Sequence, residues 1–335
     1  MKMITYTESR GLTDPLYVDV RSPSEYAHDH IPGALNIPIF TDDERREIGT
    51  LYRHSGRDEA IVRGTEMGGR KIASIIAEIS NYQGRQIVIY CARGGMRSGS
   101  VASLISSLGF EVYRLDRGYK GYRHQVLRSL ECSDPWPRLI VLQGLTGSGK
   151  TEILTRIGPG IDLEGMAGHR SSLFGAIGLK QNSQKMFDSL LASRLDELGN
   201  EPFAIIEGES KKIGNCHIPE TLYDAMKKSP VIYIDTPMER RIDILIREYT
   251  KVRDDEKVIS IVKSLRSKLS EKTVAKMIEL FTGGDLKAFV ELLLLKYYDP
   301  LYRYSISRLD FIGTVTNYDS DTAAKQVMEI AENFI

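Results

Sequence analysis

Arg138-Leu-Ile-Val-Leu-Gln-Gly144-Leu-Thr-Gly-Ser-Gly-Lys150-Thr151-Glu-Ile-Leu-Thr-Arg156 is the stretch on which the fold turns. Leu139 to Leu142 form a short aliphatic run that reads as a buried strand, and Glu152 to Arg156 continue as a helix. Between them, Gly144 to Thr151 satisfy Gly-x-x-x-x-Gly-Lys-[Ser/Thr] in the strand-loop-helix context that a phosphate-binding loop requires. Backbone N–H groups of Gly144, Thr146, Gly147, Ser148 and Gly149 are expected to cradle phosphate. Lys150 reaches a terminal oxygen, and Thr151 is placed for Mg²⁺.

Outward from this loop the chain reads as two α/β units. Arg138–Gln143, Pro202–Ile206 and Pro230–Asp235 are strand-like, with helical patterns between them. From about Asp255 to Leu301 the pattern is helical, and Phe311–Val315 returns as a strand. Upstream, Tyr17–Val20, Gln86–Tyr90 and Glu111–Leu115 alternate with helical patterns at Arg70–Ser80 and Ser98–Leu108. Glu131-Cys-Ser-Asp-Pro-Trp-Pro137 interrupts regular structure, so the expected division is residues 1–131 and 132–335. A chain of 335 residues suits two domains. With 45 basic and 45 acidic residues it is no general polycation, so any nucleic-acid contact must be a local patch. No apolar run has transmembrane or signal-peptide length, so we expect a cytoplasmic protein with no membrane partner. Three cysteines, Cys91, Cys132 and Cys216, cannot build a disulfide framework.

Cys91 directly follows the strand Gln86–Tyr90 and precedes Ala-Arg93-Gly94-Gly95-Met96-Arg97-Ser98, after which a helix begins. Such a loop curls its N–H groups inward at an anion, helped by the helix dipole. The same groups, with Arg93 or Arg97, lower the thiol pKa and supply thiolate. From Arg93 to Arg128 there are seven basic residues against two acids, interleaved with Tyr113, Tyr119 and Tyr122. Arg117, Tyr119, Lys120, Tyr122 and Arg123 are therefore candidates for stacking on bases and contacting phosphates. A second basic stretch, Arg240–Lys268, has nine basic residues and five acids. For the metal side of the phosphate loop, Glu207, Glu209 and Asp235 compete, each at a strand end. Glu164, His169 and Arg170 lie in a polar, irregular segment, Asp162–Gly175, from which they could reach phosphate or nucleic acid. No His/Cys set has metal-ligand spacing, and no metal site is assigned. Nothing fixes an oligomeric state.

Val18-Asp-Val-Arg21, Glu25 and His30-Ile-Pro-Gly-Ala34, with the Cys91 loop, resemble the rhodanese family over roughly the first 125 residues. That resemblance implies scaffold roles for Asp19, Arg21 and His30 and chemistry at Cys91. Five residues separate Cys91 from Arg97, one more than is usual in sulfur-transferring rhodaneses and the spacing of dual-specificity phosphatases on this fold. A tetrahedral anion is thus a suitable guest. Taken with Gly118-Tyr-Lys-Gly-Tyr-Arg123, the phosphate loop, Asp162-Leu-Glu-Gly, His169-Arg170 and Glu207-Gly-Glu-Ser210 with Ile213-Gly214, the order of parts resembles the tRNA 2-selenouridine synthase family.

The resemblance implies a rhodanese-like α/β domain followed by a P-loop NTPase-like α/β domain with a helical C-terminal region. It further implies a transferase that replaces sulfur by selenium in wobble-position 2-thiouridine, through an S-geranyl intermediate. Selenophosphate and geranyl diphosphate are then co-substrates, with no tightly bound cofactor, and the anticodon region of tRNA is the partner. Ala92 and Gly208 depart from the family pattern, where a tryptophan and an acid are expected. A Cys-x5-Arg phosphatase, a sulfurtransferase coupled to an ATP-dependent kinase, and a noncatalytic tRNA scaffold are the competing readings.

Overall fold

The computed structural model describes residues 2–132, 136–175, 177–249 and 254–335. The middle of the expected linker, residues 133–135, and part of the second basic stretch, residues 250–253, lie outside them. Two compact units result, Met1–Ser129 with Asp188–Leu190, and Leu130–Phe187 with Leu191–Ile335.

In the first unit, β1 (Lys2–Ile4), β2 (Pro15–Asp19), β3 (Leu35–Asn36), β4 (Gln86–Tyr90) and β5 (Val112–Leu115) form a parallel sheet in the order β1-β5-β4-β2-β3. Ile87 to Tyr90 are fully buried, as expected of a central parallel strand covered on both faces. The strand therefore ends, and Cys91 begins its loop, on a rigid support. The helix Gly118–Glu131 turns Tyr119, Tyr122, Val126 and Leu130 inward at three- and four-residue spacing. Two helices escaped the sequence reading, Asp42–His54 and Arg57–Gly69. The first is strongly polar and buries none of its residues fully; its start is nonetheless written in Thr41-Asp-Asp-Glu44, a capping box.

In the second unit, β6 (Arg138–Gly144), β7 (Gly160–Ile161), β8 (Phe203–Glu207), β11 (Val231–Asp235) and β12 (Phe311–Thr316) form a parallel sheet in the order β12-β11-β6-β8-β7. A small antiparallel pair, β9 (Lys212–Ile213) and β10 (Cys216–His217), follows β8. Ile140, Leu142, Ile205, Ile232 and Ile234 build the sheet core. A separate helical core gathers Phe174, Leu245, Val274, Phe289, Leu293 and Tyr298. Its last helix is entered through a π-helical turn, Leu294–Tyr298. Pro300 has no N–H to offer the carbonyl four residues back, and the widened turn accommodates that gap.

That turn places Asp299, 3% exposed, against Arg241, 4% exposed, from the helix Met238–Tyr249. Nη2 and Nη1 of Arg241 donate to the two carboxylate oxygens at 2.6 and 3.1 Å, while its Nε donates to the Thr146 carbonyl of the phosphate loop at 3.0 Å. Removing one partner of a buried pair leaves the other charge uncompensated, at a cost of about 3–5 kcal/mol. Asp299→Ala and Arg241→Ala should each lower unfolding stability by about that amount in denaturant melts. A loss below about 1 kcal/mol would show that the pair does not tie helix to loop.

Candidate active site

The thiol loop is held from behind. Tyr119 N–H donates to the Cys91 carbonyl at 2.8 Å and Lys120 N–H to the Ala92 carbonyl at 3.0 Å. With these carbonyls turned outward, loop N–H groups face the sulfur. Gly118 has φ +53°, and a Cβ there would lie 2.1 Å from the Cys91 carbonyl oxygen, so the contact requires glycine. This clamp was missed in the sequence, where Gly118-Tyr-Lys read as part of a basic patch.

Cys91 is buried, and its Sγ lies 3.2 Å from the hydroxyl of buried Ser98. Burial pushes the thiol up. The Ser98 hydroxyl, the N–H groups of Ser98 and Arg93, and the charge of Arg97 together outweigh it and leave the pKa below that of an ordinary thiol. Arg97 is committed to Glu25, Nη1 to Oε2 at 2.7 Å. Burial raises the Glu25 carboxyl, but Arg97, the Ser22 N–H and Arg45 bring it below its usual value. Glu25 is thus ionised near neutrality and cannot be the general acid that a phosphatase reading needs. Arg93 is exposed, as are Gly95 and Met96, and Gly94 takes φ +64° against the Arg117–Gly118 backbone. Asp19 and Arg21 form a buried ion pair at 2.6 Å, and His30 stacks on Tyr26.

The proposed tRNA face is corrected by the helix it lies on. Tyr122 is 1% exposed and packs edge-on to Tyr6, so its ring is core rather than a stacking platform. Arg123 is largely buried and paired with Asp188 at 2.9 Å. Tyr119 is half-buried beneath the Arg21 guanidinium, 4.0 Å away. Arg117 and Lys120 remain exposed, with Arg93 and Arg128. The tyrosines followed an amphipathic helical period that the reading took for base-stacking spacing.

The phosphate loop is likewise fixed through its carbonyls. Thr236 Oγ1 and Asn317 Nδ2 donate to the Ser148 carbonyl at 2.9 and 2.8 Å. Gly147 and Gly149 take φ +76° and +80°; a Cβ on Gly149 would meet Asn317 at 2.7 Å. Gly144, Thr146, Gly147, Ser148, Gly149, Lys150 and Thr151 line one cavity of about 380 Å³ with Glu164, Arg170, Glu207 and Glu209. Asp235 is exposed at the end of β11 and does not line it, which leaves β8 as the strand that brings acid to the loop. His169 does not line it either. Its ring lies over Gly214, where a Cβ would sit 2.6 Å from Cγ. Gly208 serves a similar purpose, since a Cβ there would be 2.5 Å from the Gln143 amide. The segment read as irregular contains a short helix, Leu163–Ala167, started by the Asp162 carboxylate accepting from Gly165 N–H at 2.8 Å.

Carboxylate oxygens of Glu164, Glu207 and Glu209 lie within 4.8 Å of one another, a grouping the sequence reading did not assemble into a metal site. Thr151 Oγ1 donates to Glu207 at 3.2 Å. Burial, then repulsion from Glu164 and Glu209, raises the Glu207 carboxyl well above its usual value. Burial likewise raises Glu209 despite Lys150. Burial alone would lower Lys150, but Glu209, Glu207 and Glu164 hold it above its ordinary value and charged.

Together the fold and the two loops define a class: a rhodanese-type thiol domain joined to a P-loop domain, built for group transfer between anionic substrates. Residues 7–125 match the rhodanese-like domain and residues 137–331 match the tRNA 2-selenouridine synthase AAA domain. Over 358 residues the chain is 30% identical to the tRNA 2-selenouridine synthase of Pseudomonas syringae pv. tomato, covering 94% of this chain and 97% of that protein. For the synthase of P. syringae pv. syringae the values are 32% identity, 91% and 93%. Identity to the Sulfurovum synthase is 31%, with 87% and 88% covered. The chain belongs to the tRNA 2-selenouridine synthase family. Among the described residues no helix is long and apolar enough to cross a membrane.

The carboxylate cluster gives a pH prediction. A carboxyl whose folded pKa is raised holds its proton more tightly in the folded state, so its contribution is complete at acid pH and is lost as pH rises through the folded value. In metal-free buffer, Glu207→Gln should melt with wild type near pH 5 and above it at pH 8. Added Mg²⁺ should stabilise wild type more than the variant. Parallel melting curves from pH 5 to 8 would contradict the assignment.

Proposed function

We propose that this chain replaces sulfur by selenium at 2-thiouridine of tRNA in two steps, each using one loop. The observation that carries the reading is the pairing, in one chain, of an activated thiol in an N–H-lined loop with a phosphate cavity lined by both polar and apolar side chains. Beside Lys150 and the loop glycines, that cavity is lined by Ile244, Leu245, Tyr302, Ile306 and Leu309. Leu245 also lines an adjoining apolar cavity with Phe174, Phe289 and Leu293. The geranyl chain of an allylic diphosphate gains burial against such a wall.

In the first step the tRNA sulfur attacks C1 of geranyl diphosphate. The S–C bond forms, the C1–O bond breaks, and diphosphate leaves with the electron pair, its charge met by Lys150 and loop N–H groups. The base proton passes to solvent. In the second, selenium from selenophosphate displaces geranyl thiolate at C2 of the base, the thiolate takes a proton, and water cleaves the Se–P bond to phosphate. Cys91 serves this selenium step, with its loop receiving the tetrahedral donor. Exposed Arg93, Arg117, Lys120 and Arg128 are the residues proposed to meet phosphates of the anticodon region. Thr151, Glu164, Glu207 and Glu209 offer the oxygen donors that suit a hard cation. Mg²⁺ held there would offset diphosphate charge. No tightly bound cofactor is invoked.

Cys91→Ser should stop selenation and spare geranylation, and Lys150→Ala should stop geranylation while sparing selenation of tRNA supplied already geranylated. Nucleoside masses after incubation with each donor separate these outcomes. Selenation by Cys91→Ser at the wild-type rate would overturn the assignment.

A further inference from the structure

Within the first unit lies a cavity of about 410 Å³ that the two-step reading does not use. Its walls come from the two helices missed in the sequence, Asp42–His54 and Arg57–Gly69, from Ile72 and Ile75, and from the first turns of the helix that opens at the Cys91 loop. The lining is aliphatic and aromatic, including Ile39, Phe40, Ile48, Ile61, Val101 and Leu104. The volume falls in the range of about 300–1,000 Å³ typical of small-molecule sites.

Three observations give the cavity an occupant. Tyr52, Ile72 and Met96 line it yet keep 60%, 40% and 54% of their surfaces exposed, so apolar area there is left for a ligand to cover. Gly64, Gly68 and Gly69 keep one wall low, and a Cβ on Gly64 would already lie 3.5 Å from Phe40 and 3.7 Å from Ile48 of the lining. Finally, Met96, Arg97 and Ser100 line it from the helix whose N-terminal loop carries Cys91, and Arg57 adds a cation. An apolar space beside a reactive loop, with Arg57 at its edge and Arg97 already paired with Glu25, suits a hydrocarbon chain attached to an anionic body.

We propose that this cavity receives the geranyl chain of S-geranylated tRNA during the selenium step, a subsite distinct from the one that holds geranyl diphosphate. The inference rests on the two-step reading above. The chain's burial draws the modified base to the Cys91 loop, and its departure as geranyl thiol leaves the cavity free. Selectivity between a geranylated base and one carrying a short alkyl group then resides in the first unit.

The test uses the full-length protein, selenophosphate, and two tRNAs, one bearing S-geranyl-2-thiouridine and one S-methyl-2-thiouridine. Wild type should show a KM for the geranylated tRNA at least tenfold below that for the methylated one. Gly64→Leu and Thr65→Leu, which add bulk at two lining positions, should remove that difference by raising KM for the geranylated tRNA alone. Unchanged selenation of the methylated tRNA by the same variants reports that the first unit is folded. Equal KM values for the two tRNAs in wild type, or an unchanged ratio in variants that still selenate the methylated tRNA, overturn the inference alone. Wild type that selenates neither tRNA overturns the two-step reading and this inference with it.

Discussion

A loop that binds anions through its N–H groups must send its carbonyls elsewhere, and both reactive loops here meet that constraint by the same means. Tyr119 and Lys120 N–H groups take the Cys91 and Ala92 carbonyls; Thr236 and Asn317 take Ser148, and Arg241 takes Thr146. Each donor comes from a segment far along the chain, so the loops acquire their shape only when the fold is complete. Buried N–H and C=O groups must be paired, and here the pairing decides which polarity faces the substrate. The Arg241–Asp299 pair extends this support into the C-terminal helices, which thereby become part of the phosphate site.

Charge is distributed differently in the two units. Around Cys91 the cations are mostly neutralised, Arg97 by Glu25 and Arg21 by Asp19, and the thiol owes its activation chiefly to hydrogen bonds. Around the phosphate loop, three glutamates crowd one lysine. That excess of buried acid is unfavourable in isolation and is relieved by a proton or a cation, a sensible arrangement for a site whose ligand arrives with a counterion.

Much of the molecule was legible in the sequence where one residue pattern has one physical meaning. The phosphate loop, the Cys91 loop and the central strands are of that kind, because glycines at fixed spacing after an aliphatic run admit few conformations. Less legible were features that depend on distant partners. Glu207 and Asp235 both end strands that flank β6, and only packing, which buries Glu207 against Thr151 and leaves Asp235 exposed, decides between them. Tyr119 and Tyr122 satisfy both a base-stacking pattern and a helix core pattern, and packing against Tyr6 and Arg21 decides for the core. His169, placed by its segment within reach of phosphate or nucleic acid, does not line the phosphate cavity, and its ring lies over Gly214. The helix pair at Asp42–Gly69 was passed over because it is rich in charge, although Asp42–His54 is amphipathic and sets Ile48 and Tyr52 on the wall of an open cavity.

If the phosphate loop serves an allylic diphosphate, as proposed, the cycle runs on donors already activated. The most direct measurement follows 2-selenouridine formation from 2-thiouridine tRNA, geranyl diphosphate and selenophosphate in nucleotide-free buffer, by nucleoside mass. Full conversion without ATP or GTP is the result predicted. Product that appears only when a nucleotide is added, with hydrolysis in step with each selenium transferred, would contradict it.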